Sequence, residues 1–380
     1  MPKQITHAKS PPLSPTTAVK VLGRKTGLNG KGRKSYPQLS PAKFSSRELA
    51  LGRSGRMPSA TAQNSMIPLP LDKPMPPAPV FRHGSAVLFQ SDALDWLATQ
   101  PPNSIHAVLT DPPYGLVEYS EIEQEKMRSG LGGVWRIPPS FDGHQRAPLP
   151  RFTTLDAQDL NRLASFFQAW ATKLYPVLVP GAHVCVASQP LVSYLVANAI
   201  VNAGFERRGE IIRLVMTMRG GDRPKNAHQE FPDVSVMPRS MWEPWLLFRK
   251  PVEGRVQDNL RIWKTGGLRR PSEDRPFGDV IRSAPTHKNE RAIANHPSLK
   301  PQKFLRELAW AMLPMGEGVI LDTFAGSGST LAAAEAVGYS SVGVELDDLY
   351  IEMAKGAIPR LAAIDKASFP ETLSDLFDQE

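Results

Sequence analysis

The stretch His106-Ala107-Val108-Leu109-Thr110-Asp111-Pro112-Pro113-Tyr114 joins a short apolar run to a carboxylate, two prolines and an aromatic ring. The apolar run predicts a buried parallel strand. Proline has no amide hydrogen and fixes φ, so the strand ends before Pro112. Ligands bind at the carboxyl ends of strands in open α/β sheets. The stretch therefore predicts a site for a flat, hydrogen-bonding ligand such as a nucleobase, the alternative being a surface turn capped by Asp111.

Strands and helices alternate on both sides of this stretch. Residues 85–90 predict a strand and residues 92–99 a short helix, which completes a β-α-β unit with the strand before Asp111. Residues 115–155 carry no regular pattern, which is typical of a lid, a binding loop or a disordered segment. Further segments fit the helical or the extended period: helices at 160–174 and 190–203, and strands at 182–188, 211–216 and 245–248.

Length and composition limit the classes of protein to which the chain can belong. The chain has 380 residues, 41% of them hydrophobic, which suffices for one large α/β domain with appendages. It contains no apolar run of the ~18–20 residues that a membrane helix needs. The single cysteine, Cys185, excludes a disulfide framework and a cysteine-based zinc site, and its apolar surroundings predict a buried core residue. The eight histidines show no paired ligand spacing, so we predict no metal.

Positive charge is concentrated at the start of the chain. Residues 1–80 contain 13 Lys and Arg against 2 Asp and Glu, a net charge of +11, whereas the remainder carries −3. The same segment holds 13 of the 37 prolines. This composition predicts a disordered basic tail that attracts nucleic acid without sequence preference. A misassigned start codon and an organelle transit peptide are the alternatives.

A second basic region lies in the body of the chain. Residues 219–294 are rich in Arg, Lys and turn residues, with Trp242 and Trp263 interleaved, and are interrupted by a core strand at 245–250. Such a segment suits contacts to bases and phosphates, or else forms solvated loops that the tryptophans anchor. The candidate DNA-contacting residues are Arg219, Arg223, Lys225, Arg269 and Arg270.

The last third of the chain has the pattern of a nucleoside-binding unit. A strand ends at Asp322, a turn follows with Gly326 and Gly328, and after a helix the next strand ends at Glu345. The glycines allow the backbone to approach a ligand, and Glu345 can accept from ribose hydroxyls. Asp322 can orient a charged amino-acid moiety. The turn lacks the third glycine of the dinucleotide fingerprint and the lysine of a P-loop, so neither hydride nor phosphoryl transfer is expected.

Together these motifs resemble the N6-adenine and N4-cytosine DNA methyltransferases, which use S-adenosyl-L-methionine. Residues 111–114 are similar to the catalytic D-P-P-Y of that family, and Asp322-x-Phe324-x-Gly326-x-Gly328 to its F-x-G-x-G cofactor loop. His296-Pro297-Ser298-Leu299-Lys300-Pro301 resembles a segment that lines the cofactor. The resemblance covers residues 83–361.

The resemblance implies a fold and a division of the chain. Because the catalytic motif precedes the cofactor motif, the chain resembles the circularly permuted beta class. The implied fold is α/β, Rossmann-like, with a seven-stranded mostly parallel sheet. The implied parts are a catalytic half at 81–218, a target-recognition region at 219–294, a cofactor-binding half at 295–365 and a C-terminal tail at 366–380.

The resemblance also assigns roles to residues. Asp111 and the Pro112 carbonyl would accept the two hydrogens of an exocyclic amine, and Tyr114 would stack on a base that has flipped out of the duplex. The implied catalytic set is Asp111, Pro112, Pro113 and Tyr114. The implied cofactor set is Asp92, His296, Lys300, Asp322, Phe324, Gly326, Gly328, Ser329 and Glu345.

The expected activity is methylation of adenine N6 in double-stranded DNA. Cytosine N4 is the first alternative; methylation of RNA or of a protein glutamine, and a catalytically silent DNA-binding subunit, are the others. The resemblance implies a cytoplasmic, nucleoid-associated protein of bacterial or phage origin. It leaves open a homodimer and a companion restriction endonuclease.

Overall fold

A computed structural model describes residues 77–113, 140–141, 144–145, 157–215, 221, 223–224 and 226–364. All of them belong to one compact unit, Pro68–Glu380. The predicted C-terminal tail, and the predicted basic tail up to residue 76, lie outside these ranges. So does most of the predicted loop at 115–155.

Eleven strands are present in the described ranges. Nine form one sheet in the order β1-β2-β11-β10-β3-β6-β8-β7-β9, and the other two pair in a separate hairpin. Their bounds are β1 Phe81–His83, β2 Ala86–Gln90, β3 Ile105–Thr110, β4 Ser140–Phe141, β5 His144–Gln145, β6 Leu178–Ala187, β7 Glu206–Leu214, β8 Trp242–Arg249, β9 Val280–Arg282, β10 Val319–Asp322 and β11 Ser340–Glu345.

Helices cover both faces of the large sheet. Trp96, Phe167 and Trp170 fill the core on one face, and Phe304 and Leu308 fill the core on the other. The helices are α1 Ala93–Thr99, α2 Ala157–Val177, α3 Ser193–Asn202, α4 Val256–Trp263, α5 Lys288–Ile293, α6 Gln302–Met312, α7 Ser329–Ala336 and α8 Asp348–Ala362.

Strand β3 lies in the middle of the sheet. It pairs in parallel with β10 on one side and with β6 on the other. Ala107, Val108 and Leu109 are fully buried, as expected for a parallel strand covered on both faces. Because β3 and β10 run in the same direction, Asp111 after β3 and Asp322 at the end of β10 lie at the same edge.

The predicted count of seven strands is wrong, because the sheet has nine among the described residues. The seven consecutive strands from β2 to β7 in the sheet order include a single antiparallel one, β8. The additional strands, β1 and β9, are three-residue strands at the two edges. Strands this short carry no readable alternation of apolar and polar residues. A turn at Gly84 (φ +53°) folds β1 back onto β2.

The basic region at 219–294, expected to be irregular apart from the strand at 245–250, also contains α4, β9 and α5. Helix α4 is held by a fully buried side chain, Asn259. Its amide donates to the carbonyls of Pro180 (3.0 Å) and Thr265 (2.8 Å), and its oxygen accepts from the amide of Glu253 (3.0 Å). A polar anchor leaves no apolar pattern in the sequence, so the helix was not predicted.

Other boundaries differ by a few residues for similar reasons. Strand β7 begins at Glu206 rather than at residue 211, because its first five residues are polar or glycine and are not buried. Cys185 is fully buried on β6, as predicted, and burial raises the pKa of its thiol. In the described part of the chain, no helix is long and apolar enough to cross a membrane. No group of three potential metal ligands occurs among those residues.

Candidate active site at the carboxyl edge of the sheet

A pocket opens where β3 and β10 end. The segment that precedes α6 and the first turn of α7 complete its wall. Seven of the residues predicted from sequence line this pocket: Asp111, His296, Lys300, Asp322, Phe324, Gly326 and Ser329. Ser298, Leu305, Ala325, Ser327 and Thr330 complete the lining.

The glycines of the turn after β10 are required by its shape. Gly326 and Gly328 have φ values of +51° and +78°, which side-chain-bearing residues rarely adopt. A Cβ on Gly328 would lie 2.4 Å from Cγ1 of Ile358, and a Cβ on Gly326 would lie 3.1 Å from Nε2 of His296. The turn therefore packs directly against α8 and the His296 segment with no room for side chains.

Glu345 holds this turn in place from the end of β11. Its Oε2 accepts from the amide of Gly326 at 2.7 Å. Its Oε1 accepts from the amides of Leu346 (2.8 Å) and Asp347 (2.9 Å). A half-buried carboxylate is thus fixed beside the glycine turn, although it does not line the pocket itself.

Asp322 is a buried acid at the base of the pocket. Its Oδ1 accepts from the Thr110 hydroxyl (2.6 Å) and from the amide of Phe324 (3.1 Å). Burial raises the pKa of the carboxyl to about 6, against the opposing effect of the hydrogen bonds from Thr110, Thr330 and Phe324. Asp322 therefore joins the end of β3 to the turn after β10.

His296 closes the pocket from the side of α8. Its ring lies 4.5 Å from the ring of Tyr350, centroid to centroid, and its Nδ1 accepts from the amide of Ser298 (3.2 Å). Burial, together with the charge of Lys300, lowers the pKa of His296 to about 4. The imidazole is therefore neutral at physiological pH.

Phe324 and Ser329 are placed by contacts at either end of the turn. The ring of Phe324 lies 6.0 Å from that of Phe166 and 6.4 Å from that of Trp170. Ser329 begins α7, and its carbonyl accepts from the side-chain amide of Gln302 at 3.0 Å. The turn is thus fixed to helices on both faces of the sheet.

Asp111 is bound by a lysine. The ammonium of Lys300 donates to the Asp111 carboxylate, and it lies 3.3 Å from Oε1 of Glu243 and 3.4 Å from the carbonyl of Ser298. Glu243 in turn accepts from Arg213 at 2.8 Å. Burial disfavours the charged lysine, but its two acidic neighbours outweigh burial and raise the pKa of Lys300.

Glu243 and Arg213 were missed in the sequence. Both are less than a tenth exposed: Glu243 lies in β8, whose other residues are largely apolar, and Arg213 follows two isoleucines in β7. A charge inside an apolar strand was the available signal, because charged residues are almost never fully buried without a partner.

Asp92 lies at the same edge, two strands from β10. It is the N-cap of α1 and accepts from the amides of Leu94 (2.8 Å) and Asp95 (3.1 Å). The preceding residue, Ser91, donates its amide to the carbonyl of Glu345 (3.0 Å). The structure places Asp92 beside Glu345 but outside the lined pocket.

The remaining catalytic residues are only partly described. Pro112 is buried and Pro113 half-buried after β3, whereas Tyr114 lies outside the described residues. The predicted contact of Tyr114 with a base therefore stays a prediction.

The structure does not bring the predicted DNA-contacting residues together. Arg219 and Lys225 lie outside the described ranges, and Arg223 is exposed. The guanidinium of Arg269 lies 3.5 Å over the ring of Trp310 and donates to the Tyr339 hydroxyl (2.5 Å). Tyr339 directly precedes β11, so Arg269, with the exposed Arg270 beside it, lies at the amino edge, opposite the pocket.

The family follows from comparison with known proteins. The profile of the N6_N4_Mtase family, described as DNA methylase, matches residues 105–356, about two thirds of the chain. The chain belongs to this family. It is an S-adenosylmethionine-dependent DNA amino-methyltransferase, as the motifs predicted.

Similar proteins come from several bacteria. The type II methyltransferase M.HindIII of Haemophilus influenzae is 25% identical over 284 residues, which cover 68% of this chain and 90% of that protein. The type II methyltransferase M2.DpnII of Streptococcus pneumoniae is 23% identical over 284 residues, covering 73% and 91%. The PvuII DNA methyltransferase (cytosine-N4-specific) has a similar fold, with a TM-score of 0.49 and 13% identity over 80% of this chain and 95% of that one.

Proposed function

We propose that the enzyme methylates N6 of adenine in double-stranded DNA, with Asp111 as the acceptor for the target amine. The observation that carries this proposal is the position of Asp111. It follows the central strand and lines the same pocket as the glycine turn after the neighbouring strand. One pocket can thus hold the donor and the acceptor of the methyl group.

The residues at this edge fit S-adenosylmethionine. Gly326 lines the pocket without a side chain, which suits close approach of a nucleoside to the backbone of the turn. We assign Glu345 to the ribose hydroxyls and the buried Asp322 to the amino group of the methionine moiety. The sulfonium supplies a methyl group that is already activated for transfer.

The protein must then orient the amine. The lone pair of an exocyclic amine is delocalised into the ring of the base, so the nitrogen is a poor nucleophile. Asp111 and the carbonyl of Pro112 can each accept one N–H, which favours a tetrahedral nitrogen with its lone pair directed at the methyl. Alignment and fixed acceptors of this kind supply most of the rate enhancement that such a transfer needs. The carboxylate of Asp111 can take up the proton that the methylated nitrogen releases.

Asp at the first position of the motif supports adenine over cytosine. Cytosine N4 is the second candidate, because the family profile that matches the chain is named for both N6 and N4 methylation. The base is identified by expressing the chain in cells without DNA methylation and digesting their DNA to nucleosides for mass spectrometry. N6-methyldeoxyadenosine alone supports the proposal, and N4-methyldeoxycytidine alone contradicts it.

The duplex is proposed to bind over the same edge. Strand β7 is antiparallel to β8, and β8 is antiparallel to β6, so β7 ends and β8 begins at the carboxyl edge of β3. Residues 215–241, which join β7 to β8, therefore leave the sheet beside the pocket, and their exposed Arg223 is a candidate phosphate contact. This arrangement supports residues 219–241 as part of the target-recognition region, between a catalytic half at 81–218 and a cofactor half at 295–365.

The wider setting is also part of the proposal. The relatives above are named type II methyltransferases, which supports a companion restriction endonuclease and action on cytoplasmic DNA. A homodimer stays a prediction that sedimentation of the purified enzyme tests.

The variant Asp111→Ala tests the assigned role. Transfer of tritiated methyl groups should fall at least ~10²-fold, as when one hydrogen bond made in the transition state is removed. Cofactor binding by calorimetry and DNA binding by gel shift should persist, since the glycine turn and Glu345 are unchanged. Transfer at the wild-type rate would remove Asp111 from the mechanism. A wild-type enzyme that binds cofactor but methylates no DNA would support a silent subunit instead.

A further inference from the structure

Four charged side chains form a line that leads away from the pocket. Lys300 lies between the carboxylates of Asp111 and Glu243, and Arg213 lies on the far side of Glu243. Arg213 also donates to the hydroxyl of Ser283 and to the carbonyl of Ala284, both at 3.0 Å. The charges alternate in sign, and the line runs from β3 through the segment before α6 to β8 and β7.

Three of these side chains are buried so deeply that keeping them charged costs free energy. Lys300, Glu243 and Arg213 are 7%, 9% and 6% exposed. Burying charges costs free energy that their mutual attraction often fails to return, and apolar residues of similar volume are frequently as stable. Stability alone therefore gives no reason for three buried charges behind Asp111.

The ammonium of Lys300 donates to Asp111 and to the carbonyl of Ser298, and it forms an ion pair with Glu243. A lysine held only by Asp111 would compete with the target amine for that carboxylate. Glu243 shares the lysine, and Arg213 fixes Glu243 at 2.8 Å in the orientation that allows this.

We propose that Glu243, held by Arg213, is a positioning residue for methyl transfer: it keeps Lys300 from binding Asp111 too tightly and so leaves Asp111 available to the target amine. The inference rests on the proposed role of Asp111. Neither Glu243 nor Arg213 lines the pocket, so both act through Lys300.

The same pair of strands provides a matched control. Glu243 and Arg213 face each other near one end of β8 and β7, and Arg249 and Glu206 face each other at the other end. Arg249 donates to Glu206 at 2.6 Å. Each of the variants Glu243→Gln and Glu206→Gln thus removes one carboxylate from an Arg–Glu pair between these strands. Only Glu243→Gln also removes a carboxylate that lies beside Lys300.

The test compares single-turnover methyl transfer with binding. Glu243→Gln should lower the transfer rate at least about tenfold, the equivalent of one charge-assisted hydrogen bond. The dissociation constants for S-adenosylmethionine and DNA should stay at their wild-type values. Glu206→Gln should transfer at the wild-type rate. A loss of rate that is equal in the two variants, or a Glu243→Gln effect confined to KM, would overturn the proposal.

A second variant keeps the test valid if Glu243→Gln does not fold. If Glu243→Gln unfolds because Arg213 is left unpaired, the double variant Arg213→Gln/Glu243→Gln removes both charges together. It should fold and still transfer slowly, and transfer at the wild-type rate would overturn the proposal. Asp111→Ala is measured in parallel. If Asp111→Ala transfers slowly while a folded Glu243 variant transfers fast, only this inference fails. If Asp111→Ala transfers at the wild-type rate, the role that the proposed function gives to Asp111 fails.

Discussion

Asp322 shows how a single buried residue makes the enzyme sensitive to pH. Its pKa of about 6 lies above the ordinary value of 3.8 because burial disfavours the carboxylate. Between these two values the folded protein binds a proton that the unfolded chain has released. The contribution of Asp322 to stability is therefore complete below about pH 3.8 and is lost as the pH rises towards 6.

The matching prediction concerns the free energy of unfolding without cofactor. From pH 4 to pH 6.5, wild type should lose about 2 kcal/mol relative to Asp322→Asn, which cannot ionise. Asparagine keeps an oxygen for Thr110 and Phe324, so the fold should persist. Urea unfolding at each pH measures the difference, and a constant difference across this range would contradict a raised pKa.

At the same scale, the sequence predicted single residues better than it predicted their partners. Asp111, Asp322 and Glu345 each follow or end a strand, so their common edge could be predicted from strand direction alone. The contacts between Lys300 and Glu243 join positions 57 residues apart, and those between Lys300 and Asp111 join positions 189 apart. No local pattern encodes such pairs.

Among the elements, the turn after β10 leaves little room for substitution. Gly328 and Gly338 have similar φ values, +78° and +81°, but only Gly328 has a neighbour in the way. Gly338→Ala should cost about 1–2 kcal/mol through backbone strain alone. Gly328→Ala should cost roughly 1–3 kcal/mol more, because its methyl group meets Ile358 on α8.

Thermal or chemical unfolding of the two variants measures this difference. Equal losses of stability would show that α8 moves aside at no cost. Gly328→Ala should also weaken cofactor binding, whereas Gly338→Ala, which lies on the far side of α7, should not.

Elements with a continuous apolar pattern were predicted closely. Strands β3, β10 and β11 end at the predicted residues, Thr110, Asp322 and Glu345, because buried parallel strands are apolar on both faces. Helix α4 and strand β9 were missed, since Asn259 anchors the first and the second is a three-residue edge strand. Polar anchors and edge pairing depend on tertiary contacts that the local sequence does not contain.

The strands β7 and β8 connect two parts of the proposed mechanism. Residues 215–241 leave and re-enter the sheet between Arg213 and Glu243, which are paired with each other. The proposed DNA-contacting segment is thus attached to the sheet at the pair whose Glu243 shares Lys300 with Asp111.

For the whole molecule, the distribution of charge separates the tail from the body. Residues 1–80 carry a net charge of +11 and the remaining 300 residues a net charge of −3. A body of negative net charge depends on local basic residues for DNA contact. We therefore expect the tail to supply most of the long-range attraction to phosphates, and the edge around Asp111 to supply the chemistry.

Deletion of residues 1–76 tests this division. The truncated enzyme retains every described strand and helix, so it should fold and should methylate the same sites in saturating DNA at the same kcat. Its DNA affinity should depend less on salt, because the slope of log K against log salt falls by about 0.9 for each phosphate that the protein no longer neutralises. Binding measured from 50 to 200 mM salt gives the slopes of both proteins.

A full-length variant separates the charge of the tail from its bulk. In this variant the 13 Lys and Arg of residues 1–80 are replaced by Gln and Ser, so the chain keeps its length. Because counterion release depends on charge and not on chain length, the variant should show the same reduced salt dependence as the truncation. An unchanged slope in either protein would place the phosphate contacts in the body, on basic residues such as Arg223.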